Sequence, residues 1–301
     1  MIESTGRIPF QVGDETFKTW YRVVGDLTSG IRPLVVLHGG PGIPNPYMYP
    51  LEALSTSHNI PVIFYDQIGV GNSSHLREKP SSFWTVDLFM DELDNLIHHF
   101  GISDNFSLIG HSWGGMLGSN YAAARRPPGL KALILSSSPA SVDLWMECMN
   151  ELLEAFPGGM RETVKRCERD GLLESEEYEE AMALFNKKHL CKLDPWPQQL
   201  LDSLALMAED MTVTDHMCGR EAFVCNATLK NWSVVDIVDQ IACPTLVTNG
   251  IDDEVQWAGI RDFVEKIPKV KWVRFDKSSH VVMFEEQKRY LAEVGSFLTT
   301  V

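Results

Sequence analysis

From Phe10 to Gly25 the chain alternates apolar and polar positions around a Gly-Asp pair, in FQVGDETFKTWYRVVG, and this predicts an antiparallel hairpin. Short apolar runs without alternation follow. They are PLVVLHG at 33–39, PVIFYD at 61–66, FSLIGHS at 106–112, LKALILSS at 130–137, PTLVTNG at 244–250 and VKWVRF at 270–275. Runs of this length and content fit strands buried on both faces. Helical patterns sit between them. DLFMDELDNLIHHFG, at 87–101, sets Leu88, Leu93, Leu96 and Ile97 near one stripe and stops at Gly101. GGMLGSNYAAARRP follows the third of these runs and ends at a proline pair, and AGIRDFVEKIP covers 258–268. Strands that alternate with helices imply an α/β chain, with a mostly parallel central sheet flanked by helices and right-handed crossovers.

Residues 141–232 break the rhythm. They hold helical patterns rich in Glu, Met and Trp, with no convincing strand. The expected organisation is a core of residues 1–140 and 233–301, with 141–232 inserted as a helical cap over the C-terminal edge of the strands. Open α/β sheets bind ligands at that edge.

Composition narrows the partners. The chain has 301 residues, 44% hydrophobic and 22% charged, the balance of an ordinary globular protein with a sizeable core. A formal net charge of −15 argues against nucleic acid and against an anionic membrane, both of which would repel it. The six cysteines form no CxxC pair and no zinc spacing, and read as reduced, half-buried thiols of a cytoplasmic protein. No basic segment followed by an apolar one opens the chain, and no apolar run is long enough to cross a bilayer. The sequence carries no signal for an oligomeric state.

The chemistry lies in GHSWGG, at 110–115. This G-x-S-x-G pattern at a strand-to-helix junction predicts a tight turn that lifts Ser112 Oγ clear of the sheet. A serine hydroxyl needs a base, and the base needs an orienting acid. His280, in KSSHVVMFEE, lies just past the last strand run, where a loop returns it to Ser112. The other histidines fit worse: His98 and His99 belong to a helix surface, His58, His75, His189 and His216 to loops or the cap, and His111 packs beneath the turn. The acid is Asp252 or Asp253, in NGIDDEV after the preceding strand. HGGPG, at 38–42, follows the PLVVL strand and predicts an oxyanion loop in which Gly40 N–H and Trp113 N–H meet the developing charge.

In order, HGGPG, YDQIGVGNSS, GHSWGG, NGIDDEV and SSHVVMFEE resemble the proline iminopeptidase family of α/β-hydrolases, over nearly the whole chain and with fungal members nearest in tone. The resemblance implies the α/β-hydrolase fold. It also implies cleavage of an N-terminal, proline-like residue from short peptides or amino-acid amides, through an acyl-enzyme and without metal or cofactor. It selects Asp253 as the triad acid and gives Glu254 to the substrate's α-ammonium; read alone, Glu254 is a solvated loop carboxylate. One departure stands out. The family's cap motif carries a second amine-binding glutamate where this chain has Ala222, with Glu221 one residue early and Arg220 in place of a proline. Glu221 is kept as a candidate ligand, and the loss leaves an alternative: an esterase, amidase or chain-releasing hydrolase of a specialised metabolite. Ile68, where many members have arginine, is expected to affect the scaffold only. Trp145, Trp196, Phe223 and Trp232 are candidate pocket walls.

Overall fold

The computed structural model describes residues 2–301; residue 1, counted above with the first core segment, lies outside them. An eight-stranded sheet runs through the molecule. β1 (Glu3–Val12) and β2 (Glu15–Val24) form the hairpin, starting earlier than the alternation alone suggested, and Val12 pairs with Glu15 across a two-residue turn. β2 lies antiparallel to β4 (Val62–Asp66). From there β3 (Leu34–Leu37), β5 (Phe106–His111), β6 (Leu130–Ser136), β7 (Thr245–Gly250) and β8 (Val270–Phe275) continue in parallel, in the order β1-β2-β4-β3-β5-β6-β7-β8.

Every residue of β3, β4, β5 and β7 is buried, as unbroken apolar runs require when both faces are covered. β8 corrects the reading of 270–275. It is the edge strand, and Lys271, Trp272 and Arg274 are exposed. On one face of the sheet pack α2 (Val86–His99), α3 (Trp113–Asn120) and α9 (Trp257–Lys266); the core there includes Leu93, Leu117 and Phe263. On the other lie α1 (Ala53–Ser57), α10 (Val282–Glu285) and α11 (Gln287–Thr300), with Leu54, Met283 and Tyr290 buried. The α2 helix starts where Thr85 Oγ accepts the Leu88 N–H, and it buries one charged residue, Glu92, along with its apolar stripe.

Five helices lie between β6 and β7: α4 (Val142–Glu154), α5 (Met160–Asp170), α6 (Glu176–His189), α7 (Gln198–Glu209) and α8 (Thr212–Met217). Their base is pinched by an antiparallel bridge between Ser141 and Ser233, where Val142 N–H donates to Trp232 O and Val234 N–H to Ala140 O, each at 3.0 Å. α4, α5 and α6 share a core of their own around Leu153, Val164 and Phe185, joined by Phe223, whereas Leu200 of α7 and Val213 and Met217 of α8 pack into the cores on the two faces of the sheet. All six thiols are free. Cys148, Cys167, Cys191 and Cys225 are buried, more deeply than expected, because they fill apolar positions of the packed helices and their connections.

Because β3, β5, β7 and β8 are parallel, the loops after them all leave from one edge of the sheet. Those loops carry Gly40, Ser112, Asp253 and His280.

Candidate active site

Ser112 links β5 to α3 with φ 54° and ψ −123°, a left-handed conformation that costs a side chain on the order of 1–3 kcal/mol. The turn is held from behind, where Ser112 N–H donates to Ser136 O at 3.0 Å. It also needs its glycines. A Cβ on Gly110 would lie 2.1 Å from Gly114 O, and one on Gly114 would lie 2.0 Å from Leu37 O.

His280 and the acid are assembled. His280 Nδ1 lies 2.8 Å from Asp253 Oδ1, and Asp253, 0% exposed, also accepts the Val255 N–H at 2.9 Å. Asp252 points the other way, into an ion pair with Lys192 Nζ at 2.6 Å. Geometry thus separates two neighbours that composition could not. Ser112 and His280 line one cavity of about 150 Å³. Among the described residues no hydrogen bond joins Ser112 to His280, a bond that commonly tightens only when substrate binds.

Glu254 lines the same cavity. Its carboxylate is 12% exposed, and Oε1 lies 3.8 Å from His280 Nε2. Burial pushes the Glu254 carboxyl up from the usual range, against the pull of His280. Burial pulls the His280 imidazole down, but the charges of Glu254 and Asp253 outweigh it and raise the ring to about 9. The rest of the wall is largely apolar, with Ile43, Leu200, Leu204 and Val281.

A chain of buried hydrogen bonds ties the 38–42 loop to the loop that carries His280. Gly39 N–H donates to the Tyr47 hydroxyl at 2.6 Å, and that hydroxyl lies 3.0 Å from His111 Nδ1. His111 Nε2 lies 2.9 Å from His280 O, which can only accept, so a neutral ring carries its proton on Nε2 and Nδ1 takes the hydroxyl proton. Burial, and then the nearby His280, push the His111 imidazole well down, which keeps it neutral as this pattern requires. Gly39 N–H is engaged, while Gly40 lines the cavity and gives its N–H to no other described residue; Trp113, the first residue of α3 and next to Ser112, likewise gives its N–H to none. Tyr47 escaped the sequence reading, because nothing in NPYMYP marks one tyrosine over another.

The structure does not bring Glu221 to the cavity. Its carboxylate turns to Asn226 Nδ2 at 3.4 Å, as a one-residue offset would have it. Arg220 forks onto Asp215, with both contacts at 2.8 Å, so its charge is matched outside the cavity. Ala222 packs on the insert's own core. Of the four aromatic candidates, Trp145 reaches the cavity. Phe223 fills the insert core, Trp232 packs against the sheet's core, and Trp196 donates to Cys191 O at 3.1 Å. Ile68 is buried, and its N–H donates to Glu92 Oε2 at 3.0 Å.

Known proteins resemble this chain over nearly its whole length. A family profile described as the alpha/beta hydrolase fold covers residues 32–287. A proline iminopeptidase of Heyndrickxia coagulans is 32% identical over 296 residues, which is 98% of this chain and 96% of that protein. Among solved structures, VinJ superposes with a TM-score of 0.94 at 41% identity, covering 99% of this chain and 98% of the other. The proline iminopeptidase of Mycobacterium smegmatis gives 0.90 at 36% identity, covering 98% of both. The chain belongs to the proline iminopeptidase family of α/β-hydrolases.

Proposed function

We propose that this protein is a serine aminopeptidase that releases an N-terminal, proline-like residue from short peptides or amino-acid amides. The observation that carries the proposal is the placement of Ser112, His280 and a carboxylate, Glu254, around a single cavity whose remaining walls are largely apolar. A hydrolase needs the first two. A buried carboxylate beside them calls for a cation, and the α-ammonium of a peptide sits next to the first scissile bond.

In this reading His280 takes the Ser112 proton through Nε2 as Oγ attacks the acyl carbon. Asp253 fixes the ring with its proton on Nδ1 and steadies the imidazolium. Gly40 and Trp113 N–H groups receive the oxyanion. His280 then passes the proton to the leaving amine, and water, activated by the same ring, releases the amino acid. Residues 141–232 act as the cap: α7 supplies Leu200 and Leu204 to the wall and α4 supplies Trp145. No described helix is long and apolar enough to cross a membrane. We take the enzyme to work in the cytoplasm on small substrates.

Purified protein should release the fluorophore from prolyl or alanyl arylamides, and Ser112→Ala should abolish this. A panel of aminoacyl arylamides with no turnover would overturn the substrate assignment. The absence of a carboxylate at Ala222 favours one second reading, the same triad acting on an acyl compound without a free amine. Faster turnover of N-acylated or neutral esters than of free amines would establish it.

A further inference from the structure

Resting on the aminopeptidase reading, we propose that Glu254 also gates the base: in the empty site it holds His280 as an imidazolium, and a substrate ammonium that takes over Glu254 frees the ring to accept the Ser112 proton. The geometry is specific about which nitrogen is affected. Nδ1 is committed to Asp253 at 2.8 Å, so Nε2 must receive the serine proton, and Nε2 is the atom 3.8 Å from Glu254 Oε1. Glu254 and Ser112 thus compete for one position on the ring.

The other groups around His280 do not relieve this. From α10, Glu285 adds a third acid, bound to Ser279 N–H and Oγ and to Lys192 N–H. From β5, the His111 ring lies tilted against that of His280 at 4.6 Å between ring centres, and burial keeps the His111 imidazole neutral. From the end of α6, His189 gives its carbonyl to His280 N–H and bonds Asp252 O through Nδ1. Lys192, whose backbone binds Glu285, gives its ammonium to Asp252. Three carboxylates therefore bear on one buried imidazole, in line with its raised affinity for a proton.

The step balances. One positive charge enters as the ammonium pairs with Glu254, and one leaves as the Nε2 proton passes to solvent. Neutral Nε2 then takes the Ser112 proton while the Oγ–carbon bond forms and the carbonyl electron pair moves to oxygen. A carboxylate that only bound the amine would set affinity. One that gates the base also makes the enzyme slow toward any acyl compound lacking a cation.

The test follows labelling of Ser112 by a neutral dialkyl fluorophosphate from about pH 5 to about pH 10, with Ser112→Ala as blank. This probe has no ammonium, so it reports the unrelieved base. In wild type the rate should rise along a limb centred near 9. In Glu254→Gln the limb should move down by about one pH unit or more, with labelling at neutral pH about tenfold faster. A limb that stays put, or slower labelling at every pH, overturns the gate. Should the variant not fold, wild type decides alone: a limb at the ordinary imidazole value overturns it. Arylamide turnover with an unmoved limb removes the gate and leaves the function. No arylamide turnover with a moved limb removes the function, keeps the hold on His280, and reassigns only the cation that releases it.

Discussion

Tyr47 shows how much one side chain can carry. Its hydroxyl accepts from Gly39 and donates to His111, which in turn donates to the carbonyl of His280. Phenylalanine would keep the ring and strand a buried N–H and a buried imidazole nitrogen, at about 1–3 kcal/mol for each. Tyr47→Phe should lower kcat by about 10- to 100-fold with KM little changed, because the loss falls on oxyanion and base placement. An equal rise in KM, or wild-type kcat, would count against this role. The same residue marks the limit of sequence reading. Ser112 was legible because its turn demands glycines at fixed offsets, and His280 because few positions follow the last strand. Asp252 and Asp253 were not separable from composition, since adjacent residues in a loop point apart for reasons set by Lys192 and Gly250. Tyr47 had no local signature at all, since its partners lie 8 and 64 positions away.

At the scale of the element, the junction of β5 and α3 tolerates least. Gly114→Ala would drive a methyl into Leu37 O on the neighbouring strand. A cost above about 4 kcal/mol is expected, read as loss of soluble protein or a sharply lower Tm. A fully folded, active variant would mean that the helix can slide outward. In α7, Ser203 Oγ accepts the Tyr47 N–H at 2.9 Å, and Leu200 and Leu204 face the substrate space. Leu204→Ala should enlarge that space and raise activity toward bulkier N-terminal residues relative to proline, by a few-fold, in a panel of arylamides. The strands were read well because burial on both faces leaves no polar positions. β8 was misread because VKWVRF is apolar enough to pass, and only sheet order tells that one side is open. There Trp272 lies tilted against Trp257, with ring centres 5.0 Å apart, and is 37% exposed.

Across the whole molecule, stability should depend on one buried acid that pattern alone concealed. Glu92 sits on the inner face of an amphipathic helix, accepting from Thr19 Oγ at 2.5 Å and from Ile68 N–H. Burial pushes its carboxyl up to about 8, against those two hydrogen bonds. Between the unfolded value near 4.5 and about 8 the folded chain keeps a proton that the unfolded chain has lost, so stability declines as pH rises through that window. Glu92→Gln should flatten the decline, measured as Tm against pH; an unchanged slope would mean Glu92 is already ionised. His280 acts in the same direction at higher pH, since its raised value adds stability below about 6.5 that is lost as pH rises through about 9.

The backbone N–H groups of His280 and Val281 donate to the carbonyls of His189 and Leu190, at 3.1 and 3.2 Å. Two peptide units at the end of α6 therefore anchor the segment that carries His280. Excising 141–232 would not yield a miniature, lidless hydrolase, because the histidine loop would lose its moorings with the roof. Any chimera that borrows a relative's insert must return carbonyls to those two points, so specificity in this architecture is inherited together with competence.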